Sequence, residues 1–155
     1  DQATLKEALA QFSARYDAHK EDKTAAYPGM VDLIARLKAA GVNMAVLTNK
    51  ADPMARPVVN AYYPGLFPTV QGALPGMPTK PDPTLLHKLM ERMNATRENT
   101  LFVGDSNVDI RTAKNGGLTG CGVLWGFRSR QELETEGADV LVQTPEELER
   151  VILGQ

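Results

Sequence analysis

Apolar residues at Met30, Leu33, Ile34 and Leu37 follow the three-and-four spacing of a helix with one buried face. Pro28 and Gly29 open that helix, and Gly41 ends it, where a residue without a Cβ accepts positive φ at little cost. The pattern then shortens to Met44-Ala-Val-Leu47, an apolar run between polar residues that predicts a strand buried on both faces. Residues 54–62 predict a helix, with Pro57 either in its first turn or forcing a kink. A strand is expected over residues 67–73. Leu85, Leu86, Leu89, Met90 and Met93 trace one amphipathic helix, begun by Asp82 as N-cap with Pro83 in the first turn. Thr100-Leu-Phe-Val103 reads as a second buried strand, followed by a short helix from Val108 to Asn115 that Gly116-Gly117 stops. Strands at 121–125 and 139–142 flank a helix at 130–136, and Thr144-Pro-Glu-Glu147 is a capping box opening a final helix. Leu5, Ala8, Leu9 and Phe12 predict a further helix over residues 3–18, before a charged turn at residues 19–23.

Strand and helix alternate, so the fold class is α/β with a mainly parallel sheet. Ligands in such sheets sit beyond the carboxyl ends of the strands. Composition narrows the picture further. The 155 residues are 43% apolar, and 17 Lys and Arg against 19 Asp and Glu give a net charge of -2, without the basic excess of a nucleic-acid binder. One cysteine, Cys121, excludes an internal disulfide framework. No apolar run is long enough to span a membrane and no signal-peptide pattern opens the chain, so the expectation is a cytoplasmic protein.

Three strand ends carry polar residues suited to chemistry. Thr48-Asn49-Lys50 offers a hydroxyl and backbone N–H groups able to hold a phosphate, or simply caps for a turn. Thr79-Lys80-Pro81-Asp82 holds a lysine in extended backbone ahead of a helix, since Pro81 disfavours the α conformation at Lys80. Gly104-Asp105-Ser106-Asn107-Val108-Asp109 places two carboxylates four residues apart, able to converge on one hard cation. An EF-hand is excluded, because Ile110 and Gly116 stand where the loop needs Gly and Glu. No P-loop motif occurs, and Gly120, Gly122 and Gly126 do not form a dinucleotide fingerprint.

Hydroxyl, lysine and acidic pair in this order resemble the haloacid dehalogenase superfamily of phosphatases. Thr48-Asn49 is similar to its second motif, Lys80-Pro81-Asp82-Pro83 to its third, and Gly104 through Asp109 to its fourth. Tyr27-Pro28-Gly29, Trp125-Gly126-Phe127-Arg128 and Gly137-Ala138-Asp139 are similar to phosphoglycolate phosphatase-type members. The resemblance implies a Rossmann-like core over 27–155, with residues 1–26 a remnant of a helical cap. It implies hydrolysis of a small phosphorylated metabolite through a phosphoaspartyl intermediate, with Mg²⁺. By the same resemblance Thr48, Asn49 and Lys80 bind the phosphoryl group, Lys80 offsets its growing charge, Asp105 ligates the metal, and Asp109 supports it.

The family's Asp-x-Asp-Gly-Thr-type first motif does not occur in these 155 residues. The expectations are therefore a core without its first strand and a chain inactive alone. The strands ending at Thr48 and Asp105 should pair directly or borrow a strand by self-association. Lys80 and Asp105 are expected to be dispensable for folding. A non-catalytic phosphoryl- or metal-binding module on the same fold is the alternative. A receiver-like signalling domain has the wrong order, since its acceptor Asp precedes the Thr and Lys.

Overall fold

A computed structural model describes residues 7–10 (backbone), 26–126 and 128–155. In chain order the elements are β1 (Glu7–Ala10), α1 (Met30–Ala39), β2 (Met44–Ala51), α2 (Asp52–Tyr62), β3 (Thr69–Ala73), α3 (Thr84–Arg92), β4 (Thr100–Gly104), α4 (Asn107–Gly116), β5 (Thr119–Val123), α5 (Arg130–Glu136), β6 (Val140–Val142) and α6 (Pro145–Leu153). The six strands form one sheet, order β3-β2-β1-β4-β5-β6, with every neighbouring pair parallel. This is the α/β, Rossmann-like architecture expected from the alternation of elements.

Alternate residues of the central strands face two apolar layers. Val46, Val70 and Val103 pack with Leu33, Ile34 and Leu37 of α1 and Leu148 and Ile152 of α6. Ala45, Leu47 and Phe102 turn the other way, onto Leu85, Leu86 and Leu89 of α3 and Ala113 of α4. A strand covered on both sides must be apolar at consecutive positions, which is why these segments read as continuous runs.

The start of the chain corrects the sequence reading. Residues 7–10 are a strand, where the apolar spacing predicts helix. β1 pairs with β4 through Glu7↔Thr100 to Ala10↔Val103, and with β2 through Ala8↔Met44 and Leu9↔Ala45. β2 and β4 therefore do not pair with each other, and the chain itself fills the position between them. Pairing explains the override: lying between β2 and β4, β1 meets backbone groups on the facing edges of both strands, whose unpaired burial would cost about 1–3 kcal/mol each. The rest of the predicted 3–18 helix and the charged turn lie outside the described residues.

Two smaller differences bear on the site. β2 continues past Leu47 to Ala51, and its ladder with β3 slips there: Leu47 faces Gln71, whereas Ala51 faces Ala73. Four residues on one strand match two on the other, so Thr48-Asn49-Lys50 bulges from the ladder, and bulges re-aim side chains at sheet rims. The corner after it presses on β3, where a Cβ on Gly72 would lie 2.6 Å from the Lys50 carbonyl oxygen. At α3, Pro83 is the N-cap, and Asp82 stands one residue earlier, accepting from Thr84 N at 2.8 Å and Thr84 Oγ1 at 2.6 Å.

Candidate active site

The order of the strands reverses between β1 and β4, since successive strands run outward to β3 on one side and to β6 on the other. In open parallel sheets a ligand crevice lies at the carboxyl edge of that reversal. The polar residues singled out in the sequence collect there, on the ends of β2 and β4 and on the loop before α3.

Asp109 is the hub. It is fully buried in the first turn of α4, and its Oδ2 accepts from Asp105 N, Ser106 N and Ser106 Oγ at 3.0–3.1 Å. Its Oδ1 accepts from Lys80 Nζ at 2.9 Å, in an ion pair whose side chains are 6% and 1% exposed. Ser106 closes a capping box, taking the Asp109 N–H on its own oxygen. The short spacing from Ser106 to Asp109 thus does two jobs: it begins the helix and folds the loop that carries Asp105. Ser106 is a site residue that sequence reasoning passed over, although its Ser-x-x-Asp spacing is a readable signal.

Lys80 reaches this hub from a loop fixed on both sides. Its N–H donates to Asn49 Oδ1 at 3.0 Å, and its carbonyl accepts from Asn49 Nδ2 at 3.2 Å. Asn115 Nδ2 donates to the Pro81 carbonyl at 2.9 Å. Burial pulls the Lys80 ammonium below the ordinary lysine value of 10.5, opposed chiefly by Asp109 and, more weakly, by Asp105. Desolvation disfavours the charged form, and the paired carboxylate only partly offsets it.

Thr48 is half-buried on the bulge, and its Oγ1 accepts from Lys50 N at 3.1 Å, a local turn bond. The structure therefore joins Asn49, Lys80, Asp105 and Asp109 in one hydrogen-bonded chain and leaves Thr48 beside it.

Two glycines make the crowding feasible. A Cβ on Gly104 would lie 2.2 Å from Asp109 Cβ, and one on Gly126 would lie 2.2 Å from Asp105 Cβ. Gly126 belongs to no dinucleotide fingerprint but lies in the Trp125-Gly126-Phe127-Arg128 stretch of the family resemblance, and its role in the fold is close approach to a carboxylate.

The donors at this edge are oxygens, the chemistry of a hard cation such as Mg²⁺, which commonly takes one or two carboxylates and keeps several waters. Asp109 accepts four hydrogen bonds, and Asp105 lies buried beside it. Among the described residues no group of three His, Cys, Asp or Glu converges.

The family model for haloacid dehalogenase-like hydrolases matches residues 1–123. The chain belongs to this family. Within it, a phosphoglycolate phosphatase of Pseudomonas putida is 32% identical over 143 residues, covering 92% of this chain and 52% of that protein. The Escherichia coli K12 phosphoglycolate phosphatase is 30% identical over 138 residues, covering 88% and 55%. A Lactobacillus delbrueckii protein proposed to be a phosphoglycolate phosphatase superposes with a TM-score of 0.83 at 36% identity, over 89% of this chain and 58% of that one. The chain spans about half the length of the curated relatives it matches. As a member of the haloacid dehalogenase-like hydrolase family similar to phosphoglycolate phosphatases, it shares the parallel α/β sheet of these relatives, and no described helix is long and apolar enough to cross a membrane.

Proposed function

We propose that this chain is the C-terminal portion of a Mg²⁺-dependent phosphomonoester hydrolase acting on a small phosphorylated metabolite of the phosphoglycolate type. The observation that carries this reading is the buried Lys80–Asp109 pair beside Asp105, at the sheet edge where strand order reverses. A buried ammonium at a strand end is costly unless it serves a charge, and phosphoryl transfer depends mainly on positioning and charge neutralisation.

In this reading Thr48 Oγ1 and the Asn49 backbone N–H take phosphoryl oxygens, and Lys80 offsets the charge that grows on them. Asp105 ligates Mg²⁺. Asp109 supports it indirectly, by fixing Lys80 and the Asp105 loop. Bound there, the metal would neutralise phosphoryl charge and hold the group in line. Transfer proceeds through a phosphoaspartyl group, and the aspartate that forms it belongs to a first motif absent from these 155 residues. After Ala10, where β1 ends beside Val103, the sequence continues Gln11-Phe12-Ser13, without a carboxylate. The 155 residues alone are accordingly inactive. A cytoplasmic location belongs to the same proposal, and Cys121 is a free, buried thiol.

The missing first motif also favours a second reading, a non-catalytic phosphoryl- or metal-binding module. The deciding assay is p-nitrophenyl phosphate hydrolysis with Mg²⁺ on the purified chain, as it stands and with Gln11→Asp and Ser13→Asp together, which put an Asp-x-Asp pair directly after β1 in the sequence. No turnover as it stands, with restored turnover that Asp105→Asn abolishes, is the result expected of the enzyme. Turnover by the chain alone, lost on Asp105→Asn, would reveal a nucleophile within it. Failure of the double variant to turn over would favour the module.

A further inference from the structure

We infer that the Asn49 side chain is a positioning residue that straps Lys80 to the end of β2, and that it does not itself meet the bound phosphoryl oxygens. The inference rests on the phosphoryl-binding reading of this edge and deepens it. An asparagine at a strand-to-helix corner ordinarily bonds its own backbone two residues on. Asn49 instead spends both functions of its carboxamide on one residue 31 positions away, the oxygen on Lys80 N–H and the nitrogen on the Lys80 carbonyl. The two bonds fix the amide's orientation, because the reversed amide would set NH₂ against N–H and oxygen against oxygen.

The strap acts on the backbone from which the Lys80 side chain departs. From there the side chain runs inward to Asp109, almost wholly buried. Asn115 holds the next carbonyl, that of Pro81, from α4. The loop is thus pinned from β2 on one side and from α4 on the other, and Lys80 is the residue between the pins. The Thr48 hydroxyl, by contrast, accepts within its own turn, from Lys50 N. The division of labour at the bulge follows: Thr48 and the Asn49 backbone face the anion, and the Asn49 carboxamide sets where the lysine stands.

The test has two arms on the 155-residue chain. In the first, amide hydrogen exchange by NMR compares the parent with Asn49→Ala and Asn49→Asp. Loss of one such bond corresponds to about tenfold faster exchange at the Lys80 amide in Asn49→Ala. Asn49→Asp keeps the acceptor and should retain the protection, while β4 amides stay unchanged in both. Unaltered exchange at Lys80 in Asn49→Ala would overturn the inference.

In the second arm, inorganic phosphate is titrated against the parent, Asn49→Ala, Lys80→Gln and the double variant. Acting through Lys80, Asn49→Ala should weaken binding about tenfold in the parent and not further in the Lys80→Gln background. Losses that add would place the carboxamide on the anion and overturn the strap. Phosphate binding indifferent to Lys80→Gln would sink the phosphoryl-binding reading instead, and the strap would then stand or fall on the exchange at Lys80.

Discussion

Gly126 and Asp105 share one space: a Cβ built on Gly126 would lie 2.2 Å from Asp105 Cβ and 2.4 Å from its Oδ2. The clash is with the root of the aspartate, which cannot swing aside as a long side-chain tip can. Gly126→Ala should therefore destabilise the fold by about 1–3 kcal/mol, the usual effect of overpacking. Urea midpoints of the variant and the parent decide it.

Lys80 is the point where the structure revises the expectation of dispensability. With Lys80 and Asp109 buried against each other, removing either partner leaves an uncompensated charge. Lys80→Ala should cost about 3–5 kcal/mol, measured by chemical denaturation. A midpoint equal to the parent's would show that solvent reaches Asp109 in the variant.

Ser106→Ala removes the N-cap oxygen of α4 and the hydroxyl that donates to Asp109. A loss of about 1–2 kcal/mol is expected, at the upper end for a cap because Asp109 also loses a donor. Thr144→Ala, which removes only the cap of α6, should cost less in the same denaturation experiment.

Burial pushes the Cys121 thiol up from 9.0 to about 12. Below pH 9.0 the thiol is protonated in both the folded and the unfolded chain. Between 9.0 and about 12 the unfolded chain releases that proton and the folded one keeps it, so stability falls as pH rises through this window. The slope from this group reaches about 1.4 kcal/mol per pH unit. In the native protein at pH 8 the thiol should react with a disulfide reagent only as fast as the chain opens, whereas the unfolded chain reacts at once.

Much of the fold was legible because local signals agreed with burial. α5 spans Arg130–Glu136 as the pattern predicts, and Gly41 and Gly117 take the positive φ that stops α1 and α4. The Thr144 capping box forms with one shift: Thr144 accepts from Glu147 N, but the Glu147 carboxylate reaches back to Gln143 N. β1 was illegible for a physical reason. Its local spacing favours a helix, and only the unmet backbone groups of β2 and β4, both far along the chain, make it a strand. The site divided in the same way. Residue types and spacing marked Lys80, Asp105 and Asp109, whereas the Asn49–Lys80 pair needs the end of β2 and the loop before α3 to be neighbours, which no local pattern states.

β1 has a mechanical consequence. The sheet is two plates, β3-β2 and β4-β5-β6, joined by a seam four residues long whose ladder to β2 has two register pairs, against four to β4. Among the described residues two ion pairs also cross that seam: Arg36 on α1 grips Glu149 on α6 with two nitrogens, and Lys80, bonded to Asn49 on one plate, reaches Asp109 on the other. Both apolar layers bridge the seam as well, so the crevice keeps its shape through the helices packed over β2 and β4 as well as through β1 itself.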